Sequence, residues 1–398
     1  MKIGIITYWE SNDNYGQQLQ CWAMQKQLCK MGHSPFLIRF KRYAPKPWIA
    51  PPLTFKGKIK KVLKFLLVFP YLNEQREKKQ RALIQEERNE LSIKNKYRRF
   101  TEFRSQYLVV SYNVYNDLNE LKANPPFADA YIAGSDQIWN YDLRPDELAA
   151  YFLQFGSKNI KRIAYAPSIG HTSYPDSLKP MLKKYLSSFN SLSAREKAGV
   201  DICKEQGYEA IKVLDPTLLL SMQDYSDIVN FSNIKKRGFF IYSLNYTSKD
   251  DLPWTSILNY AKKLDCPIDV TPGSGFEPCR ELFEGVTYRY ATIGEWINLI
   301  HEAMLVVTAS FHGIAFSILN HTKFLFTPLQ GKYLSSNNRA LELIKLCGLE
   351  QFIWDGKHDI EYYLDKDINW SSVDMLISEQ RKISLSYLES SLSENNNE

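Results

Sequence analysis

The residues best typed and spaced for chemistry are Ser310, His312 and Gly313, inside the stretch Met304–Leu319. That stretch opens as a short apolar run, passes through small and polar residues, and resumes with helical spacing. It therefore reads as a buried parallel strand handing over to a helix. Ser310 is a natural N-cap, and Gly313 lets backbone or ligand approach closely. His312 falls in the first turn, where free N–H groups and the helix dipole favour an anion. A titratable imidazole beside an anion cradle, at the carboxyl edge of a parallel sheet, suits chemistry on a phosphorylated ligand. Taken alone, the stretch fits equally well a His312 that only caps the helix.

Three further clusters carry functional groups. Gly134-Ser135-Asp136 puts a carboxylate at the end of a buried strand, where Asp136 reads either as a hydroxyl ligand or as a turn and N-cap residue. Asn14-Tyr15-Gly16 follows the first strand as a polar turn, fit to meet a ligand or simply to turn the chain. Arg195, in Ser193-Ala194-Arg195-Glu196, opens a helix as an anion clamp or as the partner of Glu196 in a salt bridge. The remaining histidines His171, His301, His321 and His358 stand isolated. Thr271-Pro272-Gly273-Ser274-Gly275 is a glycine loop without the Lys-Ser/Thr of a phosphate-binding P-loop. There is no GxGxxG, GxSxG or HExxH, and no His/Cys group at zinc spacing, so neither a dinucleotide nor a metal is expected.

The elements that must position these groups alternate strand and helix. At 398 residues two domains are expected. The first unit runs over 1–233: strand Ile3–Tyr8, helix from about Gln17 to Met31, strand Pro35–Phe40, then an irregular and basic insertion over about 41–105. The α/β rhythm returns with Asp129–Ala133, Arg162–Ala166, a helix over Ser177–Phe189, the Arg195 turn and Ile211–Leu214. The polar junction Ser232–Arg237 marks the boundary. A second unit over 234–390 repeats the pattern: strand Gly238–Asn245, a helix near 254–264, strand Ile268–Val270, helix Ile293–Glu302, the His312 unit, strand Phe324–Thr327 and helix Asn338–Cys347. The tail from Ser390 is polar and expected to fray.

The net charge of +6 is mildly basic, which suits an anionic ligand or lipid surface and does not argue for nucleic acid. Lys56, Lys58, Lys60, Lys61 and Lys64 surround apolar residues in the insertion, as a basic helix resting on anionic lipid or as a solvated helix of the domain. The six cysteines are scattered and read as reduced thiols. With an opening strand too short for a signal peptide's apolar core, and no bilayer-length apolar run, a cytoplasmic chain is expected, with contact at the membrane's inner face left open.

Several blocks together resemble the polysaccharide pyruvyl transferase family. They are Asn14-Tyr15-Gly16 with its Gln-rich helix, Gly134–Asn140, Ala164–Gly170, Ser193–Glu196, Asp215-Pro216-Thr217-Leu218-Leu219, Ser310–Gly313, and Arg339 before the helix Leu341–Leu349. The resemblance implies a GT-B-like α/β fold, two Rossmann-like domains with parallel sheets facing across a cleft. It implies transfer of an enolpyruvyl-derived unit from phosphoenolpyruvate to a sugar of a surface-polysaccharide precursor, lipid-linked or nucleotide-linked, with no cofactor. His312 and Asp136 become the expected catalytic groups. Asn14, Tyr15, Gly16, Ser135, Arg195, Ser310, Gly313 and Arg339 become the expected substrate-binding ones. Some members with this activity carry Arg-Leu-His where this chain has Ser310-Phe311-His312, a departure that bears on donor geometry and on the donor itself; Arg195 remains, and Arg280, Arg289 or Arg339 could compensate. A GT-B glycosyltransferase using a nucleotide sugar, and a non-catalytic sugar-binding relative, are the competing readings.

Overall fold

Short runs such as Ile3–Ile6, Ala130–Ala133 and Leu305–Thr308 are apolar on both faces, which suits only a parallel sheet covered by helices on each side. The computed structural model, which describes residues 1–42, 86, 89–231, 233, 237–273 and 281–393, builds two such sheets. The first contains β1 (Lys2–Ile6), β2 (Ser34–Phe40), β3 (Val110–Tyr115), β4 (Ala130–Ala133) and β5 (Lys161–Ala164), in the order β3-β2-β1-β4-β5. Every pairing is parallel, with Ile5 opposite Leu37 on one side and Ile132 on the other. A two-stranded ladder, β6 (Ser193–Ala194) and β7 (Ile211–Lys212), follows beyond β5. The second sheet contains β8 (Phe239–Ser243), β9 (Ile268–Pro272), β10 (Thr287–Tyr288), β11 (Leu305–Thr308) and β12 (Phe324–Phe326). Its order, β10-β9-β8-β11-β12, repeats the first. Each sheet therefore reverses direction once, beside β1/β4 and beside β8/β11, where ligand crevices form in doubly wound folds.

The first helix, Tyr15–Lys30, shows why a Gln-rich segment belongs here. It is buried on nearly all sides, and its glutamines serve the backbone around it. Gln18 donates to the Trp9 carbonyl, Gln20 to the Tyr8 carbonyl, and Gln25 exchanges two bonds with Val109. Buried amides thus satisfy carbonyls that a leucine would leave bare. The Ile293–Glu302 helix begins at a Thr292/Glu295 capping box, within the bounds its sequence signals predict.

One apolar core runs through both halves, joining Ile3, Leu19 and Trp22 to Phe240, Trp296 and Phe316. Tyr225 bridges it, with its ring 5.1 Å from Trp22 and 5.1 Å from Phe316. The long helix Trp370–Leu392 is absent from the sequence reading, and it crosses back to the first half. There Ser384 accepts from the Leu214 amide and Tyr387 donates to the Ala164 carbonyl. The first turns of the helix lie on the second half, where Trp370 stacks on His321 (5.1 Å) and Asp374 meets the His321 ring nitrogen (2.9 Å), so the helix spans both units. The edge strand β3 and the helix Leu118–Ala123 lie between the irregular insertion and Asp129, a stretch to which the sequence reading assigns no element. The lysine cluster Lys56–Lys64 and Arg280 lie outside the described residues. Among the described residues, no helix is long and apolar enough to cross a membrane.

Candidate active site

The crevice beside β1/β4 is filled by side chains from strand-end loops of both halves. Ser135 follows β4, where its carbonyl accepts from the Thr7 hydroxyl (2.6 Å). Its own hydroxyl donates to Asp215 Oδ2 at 2.7 Å. Asp215 starts the short helix Pro216–Leu219 as its N-cap, and Oδ1 accepts from the Thr217 amide (3.0 Å) and hydroxyl (2.7 Å). Arg195 enters from β6: Nε donates to Glu196 Oε1 (2.8 Å), and Nη1 donates to Asp215 Oδ2 (2.9 Å) and the Ser135 hydroxyl (3.3 Å). The second half contributes Phe311, whose ring lies 5.0 Å from the Arg195 guanidinium, and His312, whose Nε2 is 3.7 Å from Asp215 Oδ1. At 3.7 Å that approach is too long for a hydrogen bond.

Asp215 is the hub, a carboxylate with no solvent exposure that is shared by both halves. Burial alone would raise its pKa. His312, Arg195 and the Ser135 hydroxyl outweigh burial and hold the carboxyl far below its usual range. For Arg195, burial opposes the charge, and Glu196 and Asp215 more than compensate, so its pKa rises. Arg339, on the helix Asn337–Leu346, sits with Nη1 3.8 Å from Asp136 Oδ1. Burial first, and the adjacent Arg195 second, lower its pKa. Three buried polar atoms here have no hydrogen-bond partner among the described residues: Arg195 Nη2, Arg339 Nε and His312 Nε2. Native structures seldom leave such groups unpaired, and donors converging at one place mark a ligand site.

The expected site residues divide into two groups. Ser135, Asp136, Arg195, His312 and Arg339 come together in this cluster. Asp136 adopts φ 78°, and its Oδ1 accepts from the Gln137 amide, so the turn role and the proximity to Arg339 coexist. Ser310 caps its helix by accepting from the Gly313 amide at 3.3 Å. Gly313 packs on Thr308, where a Cβ would lie 2.7 Å from Cγ2. Asn14 likewise caps the first helix, accepting from the Gln17 amide. Gly16 lies under His312, and a Cβ there would fall 2.0 Å from Nδ1. The structure makes Gly16 the seat of the imidazole.

Tyr15 is placed elsewhere. Its buried ring stacks on Trp296 (5.1 Å, 12°), and its hydroxyl donates to the Ala291 carbonyl and accepts from Arg98 Nη1, both at 2.6 Å. Arg98, fully buried, also donates to the Pro272 carbonyl. Tyr15 is therefore a strut between the halves. Arg289 donates to Asp269 at 2.8 Å, away from the cluster, and among the described residues Arg195 and Arg339 are the candidate cations at the site. The sequence reading did not single out Asp215 or Phe311. The signal was present for Asp215, because Asp-Pro-Thr is an N-cap followed by proline at the first helical position. Among the described residues, no three His, Cys, Asp or Glu side chains are placed to hold a metal.

A family model described as polysaccharide pyruvyl transferase matches residues 14–328. No curated protein matches the chain. A solved structure from Listeria monocytogenes, described as a candidate UDP-N-acetylglucosamine 2-epimerase, overlays with TM-score 0.52 at 8% identity, covering 100% of this chain and 98% of that one. MurG from Acinetobacter baumannii overlays with TM-score 0.40 at 10% identity, covering 96% and 95%. At 8% identity the likeness to the Listeria protein is one of fold, the GT-B arrangement of two parallel-sheet units.

Proposed function

This chain belongs to the polysaccharide pyruvyl transferase family, and on that premise we propose that it moves an enolpyruvyl-derived unit from phosphoenolpyruvate to a sugar of a surface-polysaccharide precursor. The observation that carries this reading is the set of unpaired donors on Arg195, Arg339 and His312 at the crevice. A donor with both a phosphate and a carboxylate needs cations held at two points, and Arg195 Nη2 and Arg339 Nε offer one N–H-bearing nitrogen each. Arg339 takes the place of the arginine that Ser310 replaces in this chain.

Ketal formation consumes one phosphoenolpyruvate and two sugar hydroxyls and releases inorganic phosphate. The methylene carbon gains a proton and becomes methyl, C2 gains two C–O bonds, and the C2–O bond to phosphate breaks. Of the two hydroxyl protons, one balances the methyl and the other leaves on phosphate. His312 is the titratable imidazole of the cluster and supplies or takes these protons. Asp215 and Arg195 hold the site's charge fixed while this happens.

Calorimetric titration of phosphoenolpyruvate tests the reading. A charge-assisted bond contributes about 1.5–3 kcal/mol, so Arg339→Ala should weaken affinity roughly 10–150-fold. Unchanged affinity would remove Arg339 from the donor site. Binding of a nucleoside diphosphate, with none of phosphoenolpyruvate, would favour nucleotide-sugar glycosyl transfer instead.

A further inference from the structure

We infer that the cleft between the Ser168–Thr172 loop and the helix Asn337–Leu346 is the acceptor subsite, that it takes a single sugar ring, and that His171 selects that ring. The inference rests on the proposed donor site, because the cleft opens directly from it. The cleft encloses about 270 Å³, with one wall from each half of the chain. Its inner end is formed by Glu196 and Arg339, both members of the charged cluster. A molecule held here presents its hydroxyls to whatever lies on Arg195 and Arg339.

The lining suits a neutral, hydroxyl-rich ligand. The Asn338 side chain donates and accepts, Glu196 accepts, and Ser168 and Ser335 do both. The charges cancel, with Arg339 and Lys345 set against Glu196 and Glu342. Glu342 is itself occupied: both its oxygens accept from the Lys197 amide at 3.1 Å, joining the two walls. A polyanionic chain finds no surplus of cations along this cleft, whereas a pyranose finds donors and acceptors on both sides.

His171 lines the cleft and is held by three side chains. Its ring stacks on Tyr141 (4.2 Å, 21°), and Nε2 lies 3.2 Å from Asn140 Oδ1 and 3.0 Å from Asp142 Oδ2. Facing two acceptors, Nε2 carries the proton, and Nδ1 remains to meet a sugar hydroxyl. Gly170 beside it adopts φ +75°, and a Cβ there would come 2.8 Å from Gln137 Nε2, so the loop is pressed onto the strand-end turn that carries Asp136. An imidazole fixed by three contacts selects hydroxyl geometry better than a free surface side chain does.

The test uses the full chain and p-nitrophenyl pyranosides of galactose, glucose, mannose and N-acetylglucosamine, with binding read by saturation-transfer NMR. At least one glycoside should bind wild type, and His171→Ala should weaken it about tenfold, the loss of one good hydrogen bond. Asn338→Ala should weaken it from the opposite wall. Calorimetry should give phosphoenolpyruvate the same affinity in wild type and His171→Ala. Equal glycoside affinity in His171→Ala, or no glycoside bound by wild type, would overturn the subsite. His171-dependent glycoside binding without phosphoenolpyruvate binding would support the subsite and overturn the donor reading.

Discussion

Replacing Asp215 with Asn probes the hub of the cluster while keeping its volume. The carboxylate accepts four hydrogen bonds, from Ser135, Arg195, and the amide and hydroxyl of Thr217. An amide has one oxygen, so one side of that set must meet an NH₂ group, donor against donor. The charge is also lost, leaving Arg195 with Glu196 as its remaining ion-pair partner. Breaking a buried pair costs about 3–5 kcal/mol, and the surviving Glu196 contact places this case near 3. For a chain of this length 1 kcal/mol corresponds to about 1.2 °C, so Tm should fall by roughly 3–4 °C at neutral pH. The pH dependence has a definite sign. The folded-state pKa of Asp215 lies below the ordinary value of 3.8, so its stabilisation is present above that value and fades as pH falls beneath it. The wild-type advantage over Asp215→Asn should therefore shrink below about pH 4. Circular dichroism melts from pH 7 to pH 3 would measure this. A Tm difference under 2 °C, or one constant across that range, would refute the assignment of Asp215 as a buried, charge-paired hub.

Two other substitutions separate structural from chemical roles. Gly16→Ala puts a methyl where His312 Nδ1 now lies, 2.0 Å from the new Cβ. It should cost about 1–3 kcal/mol and most of the turnover; wild-type kcat in this variant would show that the imidazole's seat is unconstrained. Tyr15→Phe removes the hydroxyl shared by Arg98 and Ala291. Urea unfolding should show a loss of about 1–3 kcal/mol, with phosphoenolpyruvate affinity unaltered; weakened donor binding at full stability would return Tyr15 to the site.

The parts of the fold legible in the sequence are those where one signal dominates. The Ile293–Glu302 helix has a capping box and a clear apolar stripe, and Leu305–Thr308 is apolar throughout. The helix Trp370–Leu392 lacks such a stripe, since its buried face mixes Ser384 and Ser391 with Val373, Ile377 and Leu388. Strand β3 is similarly hidden, being an edge strand with Tyr112 95% exposed. At the site, His312 and Arg195 are legible as functional groups at helix starts. Their convergence on Asp215 depends on how two distant halves pack, which no local pattern encodes. Asn14 and Gly16 match their motif yet act through backbone geometry, one as a cap and the other as a gap. Arg195 does form the salt bridge to Glu196 that the simpler reading offered, and still leaves Nη2 without a partner.

The central claim is pyruvyl transfer at the Arg195–Asp215–His312 cluster. Its most direct measurement incubates the protein with phosphoenolpyruvate and a panel of free, nucleotide-linked and lipid-linked sugars, following free phosphate and product mass together. Phosphate release should require a sugar and match, mole for mole, a product heavier by one pyruvate less one water. His312→Gln should slow both signals together by roughly 10²–10⁴-fold in a folded protein. Phosphate release without a ketal, a glycoside formed from a nucleotide sugar, or full turnover in His312→Gln would contradict it.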